Sequence, residues 1–425
     1  MRTLLFILPA VMLAQAPSGK EAAMVSAVDA EAPAAVTFLE RIVNMNSGTF
    51  NPAGVQAVAD VLEAQFRSLG FSTRQLSGAA TKRGPHLIAE LKGSPNRKRV
   101  LLIGHMDTVF ELSSPFQKFD RKSDEHTDGP GTSDMKGGLV VMLSALKAMK
   151  AAGALDGANI TVFITGDEEA AGDPLAVSRA ALIAAGKASD YALCFEGGAS
   201  RDGKDYGTIA RRGSASWRLT VHAKTGHSSQ IFSDSMGDGA AFEVARIVNA
   251  FREQLREPNM TFSVGMILSG NNIQLEPGGH ASVSGKSNIV PGEALAIGDV
   301  RALTRDQVAR VKDKMQSILA KNLKGTRAEL QFEDRYPPMS PTAGNQALLD
   351  KLNGVNATLG QPVMEALDPM LRGAGDISFI APYVDSITGM GAYGGGGHAP
   401  GEWINLTRQP LQAKRAALLI YRLTR

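Results

Sequence analysis

The chain has 425 residues, 44% of them apolar and 20% charged, so it is long enough to bury one large core or two moderate ones. Its formal net charge is only +3, and its acidic and basic residues are interspersed, which argues against a nucleic-acid partner. The single cysteine, Cys194, excludes an intramolecular disulfide framework. It lies in an apolar run, and we interpret it as a small core residue rather than a nucleophile.

The first residues have the pattern of a secretory signal peptide. One basic residue is followed by an apolar stretch from Leu4 to Leu13, and Ala14–Ala16 then forms a small-x-small cleavage pattern. An apolar run of this length is too short to span a membrane. We therefore expect residues 1–16 to be removed, and the mature protein to be soluble, without a membrane partner, and periplasmic or secreted.

Strands and helices alternate through the first half of the chain. Apolar residues recur at helical spacing from about Val36 to Leu69, and the strand-like segments HLIAEL and RVLLIGHMD follow. The helical segment LVVMLSALKAMKAA, the strand NITVFITG, the helical segment LAVSRAALIAAG and the strand DYALCFEG continue the series. This alternation predicts an α/β fold, with a sheet that is covered by helices on both faces.

The pattern changes near Arg212, where SASWRLTVHAKTG alternates like a half-exposed antiparallel strand. A helix, further strand-like segments and a second helix follow, which predicts a small α+β unit. We place this unit at residues 212–326, inserted between a first part (17–211) and a second part (327–425) of the larger α/β domain.

Two adjacent carboxylates, Glu168 and Glu169, stand where the strand NITVFITG ends. Adjacent side chains of an extended segment point in opposite directions, so one carboxylate could bind a metal ion while its neighbour transfers protons. A solvated acidic loop is the alternative reading of such a pair when it stands alone. The other motifs of the chain favour the chemical interpretation.

Further candidate metal ligands also stand mostly where strands end. His105 and Asp107 lie two apart in LLIGHMDTV, so His105 could bind a metal ion while Asp107 orients its imidazole; a buried structural pair is the alternative. Asp134 is flanked by glycines that permit a close backbone approach, although it could instead cap a helix. Glu196 in LCFEGG and His398 in GGGGHAPGEW complete the set.

Two histidines and three carboxylates suit two divalent ions, and zinc is the expected metal. A single ion would leave carboxylates in excess, and their mutual repulsion would then be costly. In such sites the ions lie roughly 3.5–4 Å apart, a distance that one aspartate can bridge.

The motifs HMDTV, GPGTSDMKGG, GDEEAAG, CFEGG and GGGGHAPGE, in this order, resemble those of metallopeptidase family 20, the co-catalytic zinc exopeptidases. The resemblance covers nearly the whole mature chain and is strongest to the glutamate carboxypeptidase (carboxypeptidase G) branch. It implies that His105 and Glu196 hold one zinc ion, that Glu169 and His398 hold the other, and that Asp134 bridges them.

The same resemblance assigns the remaining catalytic roles. Asp107 would orient an imidazole, the peptide bond after Asp134 would be cis, and Glu168 would act as the general base. In this scheme a water shared by the ions loses its proton to Glu168 and attacks the scissile carbonyl, and Glu168 then protonates the leaving nitrogen. His227 in TGHSSQ would stabilise the oxyanion, often from the partner subunit, because the unit at 212–326 acts as a lid and forms a homodimer in this family.

The chain departs from the family pattern close to the expected substrate site, in QIFSDSMGDG after GHSS and in CFEGG. Asn288, Arg301 and Arg335 match positions that face the substrate in the carboxypeptidase branch. An arginine can grip a terminal carboxylate with two hydrogen bonds, although Arg301 and Arg335 could instead form structural ion pairs.

These features predict a metal-dependent hydrolase that cleaves a peptide or amide bond next to a C-terminal amino acid, with glutamate as one candidate. An N-acyl amino acid deacylase or a dipeptidase with the same centre is the alternative. A binding protein without catalysis is disfavoured, because Glu168 and all five ligand positions are intact.

Overall fold

The computed structural model describes residue 17 and residues 19–276 and 279–425; the predicted signal peptide at 1–16 lies outside them. The chain divides into two compact units. The first comprises the described residues of Met1–Thr208 together with Thr342–Ala366 and Val384–Arg425, and the second comprises Ile209–Pro341 and Leu367–Tyr383. The role of residues 212–326 as a separately acting lid stays a prediction.

The helices of the described residues are α1 (Lys20–Val43), α2 (Pro52–Ser68), α3 (Lys136–Ala151), α4 (Leu175–Ser178), α5 (Ala180–Lys187), α6 (Gly239–Gln254), α7 (Arg305–Leu319), α8 (Ala343–Thr358), α9 (Ile377–Ile380) and α10 (Gln409–Leu423). The strands are β1 (Ser72–Leu76), β2 (His86–Leu91), β3 (Arg99–His105), β4 (Asp120–Arg121), β5 (Thr127–Asp128), β6 (Asn159–Thr165), β7 (Tyr191–Cys194), β8 (Ala199–Arg201), β9 (Lys204–Gly207), β10 (Ser214–Ala223), β11 (Gly226–His227), β12 (Thr261–Leu275), β13 (Ala281–Ser284), β14 (Ile289–Val290), β15 (Glu293–Arg301), β16 (Thr326–Tyr336), β17 (Glu365–Ala366), β18 (Asp385–Thr388), β19 (Gly394–Gly395) and β20 (Trp403–Ile404).

Two predicted helices are interrupted in the structure. The helical spacing from Val36 to Leu69 belongs to α1 and α2, which are separated by residues 44–51. Pro52 occupies the first position of α2, where its missing amide proton costs no intrahelical hydrogen bond. The segment LAVSRAALIAAG is divided into α4 and α5 at Arg179. The side chain of this arginine is buried within the first unit, where it contributes to the candidate site described below.

The sheet of the first unit is mixed and has the order β1-β2-β6-β3-β7-β18. The strands β3, β6, β7 and β18 run parallel, whereas β2 is antiparallel to both β6 and β1. Residues Val100–Ile103 in β3 are fully buried. A parallel strand that is covered by helices on both faces is buried on both sides, and its sequence is therefore a continuous apolar run. This sheet confirms the predicted α/β fold.

The parallel strands bring the candidate motifs to one edge of the sheet. Strand β3 ends at His105, β6 leads into the loop with Glu168 and Glu169, and β7 leads to Glu196. Because β3 lies between β6 and β7, these three carboxyl ends are adjacent. The carboxyl edge of an open α/β sheet is where such folds place their sites.

The second unit has an antiparallel sheet with the order β13-β12-β15-β10-β16. Helices α6 and α7 pack on it around a core that includes Trp217 and Phe251, whose rings meet edge to face at 5.6 Å between centroids. Strand β12 alternates between exposed and half-buried residues, as expected of a sheet with one solvated face. The predicted α+β architecture is therefore confirmed.

In the part of the chain that the structure describes, one helix, α1, is long and apolar enough to cross a membrane by length and composition alone. Core helices of soluble proteins and signal sequences pass the same test. Leu39 and Ile42 of α1 are fully buried and belong to a cluster that includes Val140 of α3 and Ile404 of β20.

Candidate metal centre

Asp134 lies between two histidines. Its Oδ1 atom is 3.1 Å from Nε2 of His105, and its Oδ2 atom is 3.1 Å from Nε2 of His398. A second carboxylate faces each imidazole on the same nitrogen: Glu196 Oε1 is 3.5 Å from His105 Nε2, and Glu169 Oε2 is 3.1 Å from His398 Nε2. The structure thus brings the side chains of all five candidate ligands together, and their assignment to two ions stays a prediction.

Two overlapping groups of side chains in this cluster could each hold an ion. His105, Glu168 and Glu196 each offer a ligand atom within 4.8 Å of the others, and so do His105, Asp134 and Glu169. Carboxylates packed this closely repel one another unless cations neutralise them. Imidazole nitrogens and carboxylate oxygens are also the donors that zinc accepts, so the residues present fit a two-ion centre.

The protonation of these groups reflects the crowded negative charge. Burial raises the pKa of Glu169 to about 7, and the neighbouring Asp134 carboxylate adds to the shift. Hydrogen bonds to Asp134 and Glu169 raise the pKa of His398 to about 11. Burial opposes protonation of His105, but hydrogen bonds to Asp107, Asp134 and Glu196 outweigh it and raise its pKa. Positive charge is therefore stabilised at both imidazoles, where divalent ions would replace the protons.

Asp107 connects strand β3 to the loop that carries the two glutamates. Its carboxylate accepts the backbone N–H groups of Glu168 at 3.0 Å and Glu169 at 3.1 Å. His105 Nδ1 lies 3.5 Å from Asp107 Oδ1 and 3.1 Å from the Asp107 carbonyl oxygen. The hydroxyl of Thr49 donates to Asp107 Oδ2 at 2.7 Å. Asp107 is placed where it can orient the imidazole of His105, and Thr49 is a contributor that the sequence analysis missed.

A buried ion pair joins Asp167, the residue directly before the two glutamates, to Arg179. Nη1 of Arg179 donates to Oδ1 of Asp167 at 2.6 Å, and both side chains are buried. The other carboxylate oxygen of Asp167 accepts from the backbone N–H of Gly172 at 2.8 Å and from the Ser178 hydroxyl at 2.6 Å. The pair ties both ends of the 167–179 segment together. The sequence analysis missed it, since Arg179 occupies a position that reads as the middle of a helix.

The loop of Asp134 surrounds Glu402, another residue that the sequence analysis missed. The peptide bond between Asp134 and Met135 is cis, and α3 begins immediately after it. The carboxylate of Glu402 accepts the backbone N–H of Asp134 at 2.8 Å. Glu402 stands four residues after His398 within the motif GGGGHAPGE, so the motif itself was the available signal.

His227 and Asn288 lie beside one another in the second unit. Strands β11 and β14 pair His227 with Ile289, and the N–H of Ser228 donates to the carbonyl of Asn288 at 3.0 Å. The imidazole of His227 is exposed, and its Nδ1 atom lies 2.8 Å from the hydroxyl oxygen of Ser229. The catalytic role of His227 and the substrate-binding role of Asn288 stay predictions.

Arg301 and Arg335 also belong to the second unit, and both are ion-paired at its surface. Nε of Arg301 lies 3.1 Å from Asp299 Oδ2, and Nε of Arg335 lies 3.7 Å from Glu333 Oε1. The two arginine side chains are 42% and 58% exposed, so their guanidinium groups are accessible. The pairs agree with the structural alternative and leave the substrate-binding role a prediction.

Comparison with known proteins identifies the family. The model of peptidase family M20/M25/M40 matches residues 101–422, more than half of the chain. Carboxypeptidase G2 of Pseudomonas sp. (strain RS-16) is 27% identical over 397 residues, which cover 92% of this chain and 89% of that protein. A succinyl-diaminopimelate desuccinylase of Nitrosospira multiformis is 25% identical over 322 residues, which cover 72% of this chain and 79% of that protein.

A solved structure shares the fold. The YXEP protein of Bacillus subtilis, described as a dinuclear metal-binding peptidase of the M20 family, superposes with a TM-score of 0.64 at 13% identity, over 93% of this chain and 99% of that one. These matches confirm the resemblance drawn from the five motifs. The chain therefore belongs to peptidase family M20/M25/M40 and is a metallohydrolase of that family.

Proposed function

We propose that this protein is a carboxypeptidase-type exopeptidase that hydrolyses the peptide or amide bond preceding a C-terminal amino acid, with glutamate as the first candidate for the released residue. The observation that carries the proposal is the position of Asp134, whose two carboxylate oxygens each lie 3.1 Å from a different histidine. A carboxylate in this position suits a bridge between two cations.

Two divalent ions, with zinc as the proposed metal, are the cofactors. His105 and Glu196 would hold one ion, Glu169 and His398 would hold the other, and Asp134 would be shared. When bound, the ions polarise the scissile carbonyl and lower the pKa of the attacking water. The choice of zinc rests on the mixed imidazole and carboxylate donors, which suit a borderline cation.

Glu168 is the proposed general base. A carboxylate oxygen of Glu168 lies within 4.8 Å of ligand atoms of His105 and Glu196, and its backbone N–H is held by Asp107. From this position Glu168 would accept the proton of the attacking water and later donate it to the leaving nitrogen. Asp107 would hold the imidazole of His105 and the backbone of Glu168 in fixed positions relative to each other.

The second unit would supply substrate recognition. His227 would donate a hydrogen bond to the oxyanion, while Asn288, Arg301 and Arg335 would bind the substrate, with an arginine at its terminal carboxylate. The exposed guanidinium groups and the similarity to carboxypeptidase G2 support this selectivity. The second relative, a desuccinylase, favours the alternative that the chain removes an acyl group from an N-acyl amino acid.

The proposed assembly is a homodimer formed through the inserted unit. Strand β12 pairs with β15 over Thr261–Gly270, whereas β13 covers its other side only from Asn271 onward, so the described residues leave an open sheet edge. Ile267 on this strand is 51% exposed. A second copy could pair along this edge, and sedimentation velocity would detect the dimer.

The proposed location, periplasmic or secreted, rests on the N-terminal apolar segment.

The experiment compares matched substrates with the purified protein. An N-acyl glutamate, a tripeptide ending in glutamate, the C-terminal amide of that tripeptide and an N-acetyl apolar amino acid are incubated with enzyme, and the products are identified by mass spectrometry. We expect release of glutamate from the first two substrates, none from the amide, loss of activity after chelation, and recovery with about two equivalents of zinc. Release of an N-terminal residue, or activity that survives chelation, would refute the proposal.

The general base is tested in the same assay with Glu168→Gln. The variant is expected to lower kcat by about 10²–10⁴-fold while its metal content stays unchanged. Glu125→Gln, at an exposed acid, serves as the matched control and should retain full activity.

A further inference from the structure

Glu402 makes an unusual set of hydrogen bonds to the segment that ends at Asp134. Its Oε1 atom accepts the backbone N–H of Ser133 at 2.7 Å, the Ser133 hydroxyl at 3.1 Å and the backbone N–H of Asp134 at 2.8 Å. Its Oε2 atom accepts the backbone N–H of Gly131 at 3.0 Å. The Glu402 residue is only 1% exposed. One buried carboxylate therefore satisfies four donors of a single turn.

These contacts indicate that Glu402 has a structural role and is not a metal ligand. Both of its oxygens are engaged by donors on the turn, and the imidazoles of His105 and His398 instead face Asp134. A buried carboxylate is stable only where donors or cations compensate its charge. The turn around residues 131–134 provides the donors.

A buried lysine contributes to the charge balance around Glu402. Lys136, two residues after Asp134, is fully buried, and its ammonium group donates to the carbonyl of Met45 at 2.8 Å. Its positive charge interacts favourably with the carboxylates of Glu402 and Asp107. Burial raises the pKa of Glu402, and the backbone N–H groups of Asp134, Ser133 and Gly131 oppose that shift by donating to its carboxylate.

The segment that carries Glu402 also carries His398, so both sides of Asp134 are held by one stretch of chain. Strand β20 pairs Trp403 with Asp128 of β5, and the N–H of Gly129 donates to the carbonyl of Glu402 at 3.0 Å. The backbone of Asp134 is therefore held by Glu402, while its carboxylate faces the imidazole of His398.

We propose that Glu402 is a positioning residue that fixes the turn at 131–134, so that both carboxylate oxygens of Asp134 can serve two metal ions at once. This inference rests on the two-ion centre of the proposed function. Glutamine at this position could still accept through one oxygen, but its amide would place a donor against the N–H of Gly131. The turn would then loosen, and the ion shared through Asp134 would bind more weakly.

The test measures metal binding rather than turnover. Glu402→Gln, Glu402→Asp and the wild type are stripped of metal, and zinc binding is titrated by calorimetry and checked by elemental analysis. Mutation of a hydrogen-bond partner of a metal ligand typically lowers metal affinity by about 10–100-fold. We therefore expect Glu402→Gln to bind its weaker ion at least about 10-fold less tightly than the wild type. Glu402→Asp keeps the negative charge and should recover part of that affinity.

Glu243→Gln is the matched control. Glu243 of α6 is also fully buried and also accepts a backbone N–H, from Leu323 at 3.2 Å, but it lies in the second unit. This variant should lower the melting temperature and leave both zinc affinities at the wild-type values. A general loss of stability would therefore be distinguished from a specific loss of metal.

Each outcome decides between the two proposals. Two ions bound by Glu402→Gln with wild-type affinity would overturn the positioning role and leave the proposed function standing. A wild type that binds no metal would overturn the proposed function, and this inference with it. If Glu402→Gln does not fold, Ser133→Ala replaces it, because it removes one of the four donors; unchanged zinc affinity in both Ser133→Ala and Glu402→Asp would overturn the inference.

Discussion

Replacing Arg179 by methionine removes the buried cation that holds the glutamate loop. In the native structure its guanidinium donates to Oδ1 of Asp167 at 2.6 Å and to the Asp167 carbonyl oxygen at 3.1 Å. Methionine keeps much of the side-chain volume but leaves the Asp167 carboxylate buried without its cation. The ends of the 167–179 segment, which contains Glu168 and Glu169, would then be held less firmly.

The expected cost follows from the burial of the pair. The side chains of Arg179 and Asp167 are 1% and 0% exposed, so solvent cannot replace the lost contacts. Breaking a buried pair by removing one partner costs about 3–5 kcal/mol of the free energy of unfolding. The double variant Asp167→Asn with Arg179→Met removes both charges. It should lose less free energy of unfolding than Arg179→Met alone, because no unpaired buried charge remains.

Equilibrium unfolding in urea measures these differences. The chain has two tryptophans, Trp217 in the second unit and Trp403 in the first. In a Trp217→Phe background, the fluorescence of Trp403 therefore reports on the first unit. Arg67→Met serves as the control, since Arg67 is 64% exposed and its pair with Glu63 should contribute at most about 1 kcal/mol.

Two results would refute this reasoning. The first is a loss of less than about 1 kcal/mol in Arg179→Met, which would mean that the ion pair is not decisive for the fold. The second is a double variant less stable than Arg179→Met, which would mean that an unpaired Asp167 carboxylate is not the source of the cost.

Two other substitutions test contacts near the candidate site. Thr49→Val removes the hydroxyl that donates to Asp107 at 2.7 Å and should cost about 1–3 kcal/mol in thermal unfolding, while Thr49→Ser should restore most of it. Wild-type stability in Thr49→Val would contradict the role of this bond. Gly138→Ala would place a Cβ atom 1.9 Å from the carbonyl oxygen of Phe195, so α3 must shift, with a cost of about 1–3 kcal/mol. Gly354→Ala, in a helix where that atom would meet only Nη1 of Arg422 at an ordinary contact distance of 3.8 Å, should instead be neutral or stabilising by about 0.5–1 kcal/mol. Equal melting temperatures of the two variants would contradict the packing argument.

Local patterns were sufficient for the elements that carry the motifs. Strands β3, β6 and β7 were predicted because each is a short apolar run, and such runs are typical of parallel strands buried on both faces. The position of His105, Glu168 and Glu196 at the ends of these runs then placed them at one edge of the sheet. This inference needed no knowledge of distant contacts.

Other features depended on which segments meet in space. The strand AELQFEDRY was expected to return to the α/β domain, but as β16 it pairs with β10 in the antiparallel sheet of the second unit. Its alternating pattern fits a strand with one exposed face in either sheet, so the sequence could not identify the neighbouring strand. Only hydrogen bonding to β10 decided its place.

The sequence by itself determined the kinds of donors in the metal centre, because imidazole and carboxylate chemistry is a property of the residues. Tertiary structure alone decided how they are held. Glu402, Thr49 and Arg179 carry no periodic signal, since a buried polar side chain is stabilised by donors and acceptors that arrive from distant segments. Their partners became identifiable only when the loops were brought together by the sheet.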